Sequence, residues 1–401
     1  MGAIFNVVGC ECSKKLEKHP SMNRVKVTDS TSSVLISSTI IPKELYKDEK
    51  GKYIHNIHNR GIEKKISKNE INVFEKYTQI CLLGKTHYSI VYKVKNKLNN
   101  QFRALKEIFK ENIENLNDTK NIIYSINVLR NLKHQNLIQL YEFYEDEKNF
   151  YLIYDLCEKI DLDEILKEKL IFCEFFVKFI MYKVLLAVDY LHKQRIIHGN
   201  IKITNIGIIK IENENNNNEN ETNIKELINE VCDGIKLKNE LLIKNRYEDL
   251  SLKAKKFINN LSKYDIKLLD CWSQDIFIKN IVNNTNSDIM LNINYYSPEL
   301  FNQNITKERD EWACGILMFY LINGYYPFDG DTKDELIYEI LNEDIDQQIS
   351  ELNIGKECKD LLFKLLNKNP LYRIKAEDAL KHEFFKKGII IKDLINLNLK
   401  T

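Results

Sequence analysis

The sequence predicts an α+β fold with two lobes, a small lobe built on an antiparallel sheet and a larger helical lobe. Five runs rich in β-branched and aromatic residues predict the strands, at 77–84, 89–95, 100–108, 138–144 and 149–155. One helical stretch near 119–132 interrupts these runs, and the pattern becomes mostly helical from about residue 160. We therefore expect a five-stranded sheet with one helix, followed by a helical lobe and separated from it by a cleft.

Periodicity and composition set the expected boundaries. Residues 13–70 are polar and charged with little periodicity, and 1–73 is therefore predicted to be a flexible segment. The organised part runs from 74 to 390, with a small lobe at 74–156, a large lobe at 157–390 and a tail at 391–401. In the large lobe, a long amphipathic helix is predicted over 175–192, and further helices near 309–324, 332–343, 356–366 and 376–383.

Residues 211–264 are predicted to be an insertion. Its first part, 212–223, reads ENENNNNENETN, a low-complexity composition that cannot build a core. Its second part, about 224–262, is rich in Lys, Leu, Ile and Glu and favours helix. That helix could be a docking element or a consequence of biased composition, and composition alone favours the second interpretation.

Overall composition narrows the class of protein. The chain has 59 Lys and Arg residues and 58 Asp and Glu residues, which leaves a net charge of +1. The overall charge therefore gives no indication of nucleic acid binding. The nine cysteines are scattered and, apart from Cys10 and Cys12, have no spacing typical of a metal site or a disulfide framework. They are interpreted as reduced intracellular thiols. No apolar run approaches the ~20 residues that span a bilayer.

The N-terminus fits a two-signal lipid anchor. Gly2 follows Met1, and Cys10 and Cys12 lie nearby with two lysines after them. This pattern predicts myristate on Gly2 and palmitate on a cysteine, although Asn6 stands where Ser or Thr is preferred. The alternative is an unmodified tail that begins Met-Gly. We expect a cytoplasmic protein, peripheral on the cytosolic face of a membrane.

Several short segments occur in an ordered series across residues 74–390. LGKTHYSIVYKV begins at Leu83, FRALK ends at Lys106, and HGNIKITN begins at His198. IKLLDCW contains Asp270, and SPE and DEWACG follow it. In order and spacing these segments resemble the protein kinase superfamily, whose motifs are a glycine-rich loop, a strand lysine, a catalytic loop and Asp-Phe-Gly. The resemblance implies the two-lobed protein-kinase fold.

The segment around His134 and the ending between Arg373 and Phe385 are similar to the calcium-dependent protein kinases. That branch continues into EF-hands, and no Asp-x-Asp/Asn-x-Asp/Asn-Gly loop with a distal Glu occurs in this sequence. Direct calcium binding is therefore not expected. The resemblance implies instead that the partners or substrates are proteins.

The resemblance implies a site for ATP and Mg²⁺ in the cleft. Lys106 is the candidate to contact the α- and β-phosphates, and Asp270 and Asn205 are the candidate magnesium ligands. The other expected nucleotide contacts are the phosphate-loop residue Gly84, the adenine contacts Leu83, Val91 and Ala104, the hinge residue Asp155 and the ribose contact Asp161.

The catalytic loop departs from the family's His-Arg-Asp-Leu-Lys-Pro-Glu-Asn pattern. Lys202 and Asn205 are kept, but Asn200 replaces the aspartate that accepts the proton of the substrate hydroxyl. An amide oxygen orients a hydroxyl but does not take its proton at neutral pH. Gly199 replaces the arginine that in many kinases binds a phosphorylated activation loop, so that switch is not expected.

Other departures affect the positioning of a nucleotide. Thr86 and Ser89 replace glycines that allow backbone N–H groups to approach phosphates. Ser125 replaces the helix glutamate that pairs with the strand lysine, and a hydroxyl cannot form that ion pair. Gly207 replaces a leucine below the adenine, and Asn292 replaces a threonine beside the catalytic residues.

Two functional hypotheses follow. The first is a membrane-tethered pseudokinase that acts as a scaffold or allosteric regulator, with nucleotide binding left open. The second is a weakly or atypically active serine/threonine kinase. The retained Lys106, Lys202, Asn205 and Asp270 could also persist only as a folding network. For the later anchors of the family, including Glu299 and Arg373, the architectural interpretation is preferred.

Overall fold

In a computed structural model of the chain, the residues described are 73–85, 89–112, 126, 128–157, 162–163, 166, 172–210, 224–233, 241, 249–271, 293–302 and 306–386. Several predicted positions lie outside these residues, so the predictions made for them stay predictions. They are the lipidation positions Gly2, Cys10 and Cys12, the tail 391–401, and Thr86, Ser125, Asp161 and Asn292.

The small lobe contains the predicted five-stranded antiparallel sheet. A short helix, α1 (Val73–Lys76), leads into it, and the strand order is β1-β2-β3-β5-β4. The strands are β1 (Tyr77–Lys85), β2 (Ser89–Asn96), β3 (Phe102–Phe109), β4 (Leu140–Glu145) and β5 (Asn149–Tyr154). Within the predicted 119–132 helix, the described positions 126 and 128–131 are helical. The prediction of an α+β fold is confirmed.

Side-chain alternation along β3 gives the sheet two buried faces. Ala104 and Ile108 belong to the cluster on the cleft side, whereas Leu105 packs with Val73 on the opposite face. Because successive side chains of a strand point to opposite faces, Lys106 lies on the same face as Ala104 and Ile108. The sheet therefore presents this lysine to the cleft.

The large lobe is organised around α2 (Glu174–Lys193), the helix predicted over 175–192. Most of its residues are buried, and it packs against α6 (Glu308–Asn323), which is buried along most of its length. Helices that are apolar on nearly all sides belong in the centre of a domain. None of the described helices is long and apolar enough to cross a membrane.

The remaining elements follow the predicted order closely. These elements are β6 (Ile206–Lys210), α3 (Ile224–Asp233), α4 (Leu252–Leu261), β7 (Tyr264–Leu268), α5 (Pro298–Phe301), α7 (Lys333–Asn342), α8 (Asp346–Glu351), α9 (Lys356–Leu365), α10 (Ala376–Ala379) and α11 (Glu383–Lys386). Helices α6, α7 and α9 match the predicted helices to within about a residue, whereas the helix predicted over 376–383 is interrupted by a turn after Ala379.

Capping residues account for the end of α6 and for the start of α7. Gly324 ends α6 with a φ of 75°, a left-handed conformation that costs a glycine little. Thr332 begins α7 through a capping box, in which its hydroxyl accepts from the backbone N–H of Glu335 while the Glu335 carboxylate accepts from the Thr332 N–H.

The second part of the predicted insertion contributes to the core of the large lobe. The ring of Phe257 in α4 lies 6.1 Å from that of Phe175 in α2. Leu227 and Ile228 of α3, together with Ile258 of α4, are buried in the same cluster. These helices are therefore structural.

A buried ion pair joins two distant parts of the large lobe. The Arg373 guanidinium donates to both carboxylate oxygens of Glu299, at 2.7 and 3.0 Å, and also to the carbonyl of Glu308 at 2.7 Å. A planar guanidinium matches a carboxylate in this two-bond geometry. The contact predicted between these two side chains is present, and it anchors α5 to the segment before α10.

Candidate functional site

Two charged side chains meet in the cleft between the lobes. The Lys106 ammonium from β3 forms an ion pair with the Asp270 carboxylate, which follows β7. Their side chains are only 8% and 15% exposed. Asp270 has a φ of 59°, so the backbone turns sharply at this residue. Sequence reasoning assigned one residue to phosphate and the other to metal, and the structure brings them into direct contact.

The predicted adenine contacts come together on the cleft face of the sheet. Leu83, Val91 and Ala104 are buried in one apolar cluster with Tyr154 and Leu269. Gly84 lies beside them, paired with Val91 at a bulge in β1. Burial, reinforced by the nearby Asp270 carboxylate, raises the pKa of Tyr154 well above its ordinary value, so its hydroxyl stays neutral.

Gly207 lies against this apolar cluster, and two side chains of the cluster occupy the space beside it. A Cβ on Gly207 would lie 2.9 Å from the Cys157 Sγ and 3.1 Å from a methyl carbon of Leu269. Both neighbours are buried, and burial raises the pKa of the Cys157 thiol to about 12. The space expected for a leucine side chain at position 207 is therefore filled by Cys157 and Leu269.

The segment corresponding to the catalytic loop keeps an ordered hydrogen-bond framework. The Asn205 amide donates to the Asn200 carbonyl at 2.7 Å, and the backbone N–H of Asn200 donates to His198 Nδ1 at 3.2 Å. The backbone N–H of Leu269 donates to the Asn205 carbonyl at 2.8 Å, which places Asn205 next to the strand that leads to Asp270. Lys202 is buried in the same loop. Asn200 therefore lies in a loop that is fixed by hydrogen bonds to His198 and Asn205.

Asp310 supports this loop from α6. Its carboxylate accepts from the backbone N–H groups of His198 and Gly199 at 2.8 and 2.9 Å. His192 lies 2.9 Å from Asp310 and 3.1 Å from Glu311. Burial alone would lower the pKa of His192, but the two carboxylates outweigh it and raise the pKa to about 10. His192 is therefore a cation at neutral pH.

His198 has the opposite electrostatic environment. It is fully buried, and this burial lowers its pKa to about 4. A neutral imidazole accepts a hydrogen bond at its unprotonated nitrogen, which agrees with Nδ1 accepting from the Asn200 N–H. The two histidines that flank Asp310 therefore carry different charges at neutral pH.

The hinge residue Asp155 is held by the protein itself. Its carboxylate accepts from the Tyr141 hydroxyl at 2.7 Å and from the backbone N–H of Gln139 at 3.3 Å, and Lys267 lies 3.5 Å away. These contacts connect β4, β5 and β7. They give the Asp155 side chain a role in joining the lobes, in addition to the predicted place at the hinge.

The donor groups present fit a magnesium-bound triphosphate in kind. Asp270 offers a carboxylate, Asn205 an amide oxygen and Lys106 an ammonium, which are the groups that hold Mg²⁺ and phosphates in kinases. The fit requires a rearrangement, because the Asp270 carboxylate is paired with Lys106. Among the described residues, no cluster of three or more His, Cys, Asp or Glu side chains could hold a metal ion.

Two residues of the site were missed by sequence reasoning. Arg309, at the start of α6, places its guanidinium 3.9 Å from where a Cβ of Gly199 would lie, and donates to the Gly199 carbonyl at 3.3 Å. A basic residue directly before Asp310 was the available signal. Cys157 was missed for a different reason. The sequence shows a glycine at position 207, but it does not show which neighbouring side chain fills the space beside that glycine.

Comparison with known proteins agrees with this geometry. The family profile described as "Protein kinase domain" matches residues 77–215 and 211–385, which together cover most of the chain. The chain therefore belongs to the protein kinase superfamily. Within that superfamily it is similar to the calcium-dependent protein kinases.

Three curated relatives illustrate the similarity. Calcium-dependent protein kinase 5 of Plasmodium falciparum (isolate 3D7) is 27% identical over 323 residues, which cover 79% of this chain and 47% of the relative. Calcium-dependent protein kinase 4 of the same organism is 25% identical over 360 residues, covering 85% and 58%. Calcium-dependent protein kinase 3 of Plasmodium berghei (strain Anka) is 28% identical over 319 residues, covering 79% and 47%. The chain spans about half the length of the curated relatives it matches.

A solved structure supports the fold independently. A crystal structure of Rad53 1–466 in complex with AMP-PNP superposes with a TM-score of 0.54 at 20% identity. The match covers 78% of this chain and 66% of that chain. At this level of identity the similarity establishes the two-lobed fold.

Proposed function

We propose that this protein is a pseudokinase that acts as a scaffold or allosteric regulator of protein partners. The observation that carries the proposal is Asn200, an amide where the family's pattern has the proton-accepting aspartate, in a loop fixed by hydrogen bonds to His198 and Asn205. Loss of a general base costs on the order of 10²–10⁴-fold, and kinases turn over about 1–100 times per second. The ion pair between Lys106 and Asp270 adds a second obstacle, because it engages both charged groups of the phosphate site.

Phosphotransfer from Mg-ATP to a pool of mixed Ser/Thr peptides tests the proposal, with Asp270→Ala as a matched control. We expect the chain and the control to give the same background rate. Turnover near ordinary kinase rates that is lost in the Asp270→Ala variant would overturn the scaffold function.

A weakly active serine/threonine kinase is the second candidate. Lys202 and Asn205 are retained and buried in an ordered loop, and positioning with electrostatics supplies much of phosphoryl transfer. In the same assay this candidate predicts a slow rate, well below one per second, that is sensitive to Asp270→Ala.

Nucleotide binding is a separate part of the proposal. Lys106, Asp270 and Asn205 would hold the phosphates and Mg²⁺ once the ion pair separates, and Leu83, Val91 and Ala104 would contact the adenine. A thermal-shift titration with ATP, with and without magnesium, measures it. A rise in melting temperature that requires magnesium supports this site, and no shift at millimolar ATP removes ATP and Mg²⁺ from the proposal.

Tethering to the cytosolic face of a membrane completes the proposal. Its support is the sequence pattern of Gly2, Cys10 and Cys12, because one acyl chain binds only reversibly and two signals are needed for stable attachment. Membrane partitioning of the full chain should fall in Gly2→Ala and in a Cys10→Ser/Cys12→Ser variant. Unchanged partitioning of Gly2→Ala would exclude the myristate.

A further inference from the structure

The turn between β2 and β3 presents a large apolar side chain to solvent. Leu98 is 85% exposed, and Phe102, where β3 begins, is 43% exposed. Hydrogen bonds within the turn fix its backbone. The Asn96 side-chain oxygen accepts from the Leu98 N–H at 2.9 Å, and the N–H of Asn100, whose φ is 60°, donates to the Asn96 carbonyl at 2.9 Å. The exposure of Leu98 is therefore a property of a turn with a defined conformation.

The same hairpin carries only positive charge. Residues 89–105 contain four cationic side chains and no carboxylate, and the four are Lys93, Lys95, Lys97 and Arg103. In the part of the chain that the structure describes, none of the four forms an ion pair. Lys97 Nζ donates to the Phe74 carbonyl at 2.8 Å, and Arg103 donates to the Phe102 carbonyl at 3.2 Å and to the Gln101 side-chain oxygen at 3.1 Å. These acceptors are neutral, so the charges are not cancelled.

Neighbouring carboxylates reduce this charge only in part. Glu142 on β4 is 2.6 Å from Lys76 of α1, and Glu75 is exposed in the same short helix. With both included, this end of the sheet carries five cations, Lys76 and the four of the hairpin, against two carboxylates. Asp155, farther along, has Lys267 at 3.5 Å. The hairpin end is therefore basic even after its neighbours are counted.

The cations surround the apolar side chains on both faces of the hairpin. Lys93 and Lys95 lie on one face, with their ammonium groups 4.6 and 5.7 Å from the centre of the Phe102 ring. Arg103 lies on the other face, 4.3 Å from the centre of the Tyr141 ring, because successive side chains of β3 alternate. The result is a projecting turn with Leu98 at its tip and a ring of cations behind it.

A projecting, basic turn with an apolar tip fits the surface of an anionic bilayer. Such surfaces bind by burying apolar side chains about 5–10 Å deep, at the boundary of headgroups and acyl chains, while cations contact anionic headgroups. Lysine stems can lie along apolar groups and still extend their ammonium groups to the headgroups. A bilayer closes around a projecting turn, whereas a protein partner needs a groove of matching shape.

The chain enters the described structure beside this turn. The backbone N–H of Lys97 donates to the Lys76 carbonyl at 2.9 Å, and its Nζ donates to the Phe74 carbonyl, so α1 lies against the turn. The N-terminal segment with Gly2, Cys10 and Cys12 therefore joins the small lobe next to the hairpin. An acyl chain on that segment would bring the hairpin close to a membrane surface.

We propose that the β2–β3 turn is a second membrane contact, which inserts Leu98 into the cytosolic leaflet. The anionic lipid headgroups are bound by Lys93, Lys95, Lys97 and Arg103. This inference rests on the membrane tethering in the proposed function and deepens it, because a protein contact beside the anchor adds to the reversible binding of an acyl chain. It also fixes which end of the small lobe faces the membrane.

Co-sedimentation with vesicles tests the inference on a full chain that cannot be acylated at the three predicted positions, Gly2→Ala/Cys10→Ser/Cys12→Ser. The vesicles are phosphatidylcholine alone, or phosphatidylcholine with about 30% phosphatidylserine. We expect binding to the phosphatidylserine vesicles to be tighter by on the order of tenfold or more, and to weaken as salt is added. The basic N-terminal segment is otherwise the same in every variant, so differences among hairpin variants report on the hairpin.

Two substitutions locate the contact, each with a matched control. Lys93→Gln/Lys95→Gln should lower the affinity for phosphatidylserine vesicles by on the order of tenfold, whereas Lys356→Gln/Lys381→Gln, which removes the same charge from the large lobe, should not. Leu98→Asn should lower it by about fivefold. Leu371→Asn is the control, because Leu371 is 83% exposed and so nearly matches Leu98.

Insertion itself is measured with a tryptophan at the tip. In Leu98→Trp, lipids brominated on their acyl chains should quench the added fluorescence, and the emission should shift to the blue. Leu371→Trp has the same two native tryptophans and should show neither change. All of these substitutions are at exposed or half-exposed positions of the described structure, and circular dichroism verifies that each variant is folded.

Three results would overturn the inference. They are equal binding to the two kinds of vesicle, hairpin variants that bind like their matched controls, and lysine-dependent binding without quenching at position 98. The last result would instead favour an acidic macromolecule as the partner of the hairpin. The test of acylation is separate, because unchanged partitioning of Gly2→Ala excludes the myristate whatever the hairpin does. Failure of the hairpin variants on the unacylated chain overturns only this inference.

Discussion

The Lys106 ammonium is bound directly by the Asp270 carboxylate, so the two charged groups expected to hold a nucleotide hold each other. This contact joins β3 of the small lobe to the end of β7 in the large lobe. With Asp155 joined to Tyr141 and Lys267, it forms part of a polar connection between the lobes. The site therefore has a structural function that does not depend on a ligand.

A double-mutant cycle on Lys106 and Asp270 should reveal strong coupling. Removing one partner of a buried ion pair leaves an uncompensated charge and costs about 3–5 kcal/mol of the free energy of unfolding. Lys106→Met and Asp270→Asn should each approach that cost, whereas the double variant should lose much less than their sum. Urea unfolding followed by circular dichroism measures all three, and additivity to within ~0.5 kcal/mol would contradict the prediction.

Gly207→Ala should destabilise the protein by about 1–3 kcal/mol, because the new methyl group overlaps Cys157 and Leu269. Cys157→Ala removes the closest atom, so the double variant should recover part of that loss. Chemical denaturation of both single variants and the double variant provides the comparison. The prediction is wrong if Gly207→Ala is as stable as the unaltered protein.

Arg373→Met should lower the free energy of unfolding by about 3–5 kcal/mol, because it leaves the buried Glu299 carboxylate without its bidentate partner. Lys381→Ala is the matched control. It breaks an exposed pair with Glu377 in which the lysine side chain is 64% exposed, and solvent-exposed pairs of this kind contribute little to stability. Thermal or urea unfolding should separate the two variants clearly, and similar losses would argue against an anchoring role for Arg373.

Stability should fall as the pH rises from about 6.5 to 10, because His192 keeps its proton in the folded protein whereas the unfolded chain loses it. The folded pKa of about 10 lies above the unfolded value of 6.5, so the contribution of this histidine is complete below pH 6.5 and disappears as the pH passes 10. Its size is on the order of a few kcal/mol. His192→Gln should be less stable at pH 6 and should show a flatter pH dependence between 6.5 and 10. If His192→Gln leaves the pH dependence of the free energy of unfolding unchanged, a different group is responsible for it.

Strand and helix positions were predictable because their signals are local. The alternation that placed β3 also placed Lys106 on the cleft face, and the amphipathic run at 175–192 identified α2. Motif order then gave the pairing of Glu299 with Arg373, which is a contact between two distant segments. In these cases the repeat of apolar residues, or the order of the motifs along the chain, is enough to predict the element or the contact.

Contacts that depend on a neighbour's side chain were not predictable in this way. Without the helix glutamate, sequence reasoning left Lys106 to bind a phosphate or to belong to an unspecified folding network, and the direct ion pair with Asp270 emerges only in three dimensions. The approach of Arg309 to Gly199 likewise depends on the packing of α6 against the loop. The helical character of 224–262 was predicted, but the packing of α3 and α4 in the core was not, because their residues follow a low-complexity run.

The strands β6 and β7 pair Lys210 with Tyr264, so the two ends of the intervening segment lie side by side. Closing a loop costs entropy that grows only with the logarithm of its length, about 0.6 kcal/mol for each doubling. The asparagine-rich run 212–223 can therefore lengthen or shorten between related sequences with little thermodynamic consequence. Loss of α3 and α4 is different in kind, because it would expose the ring of Phe175 to water.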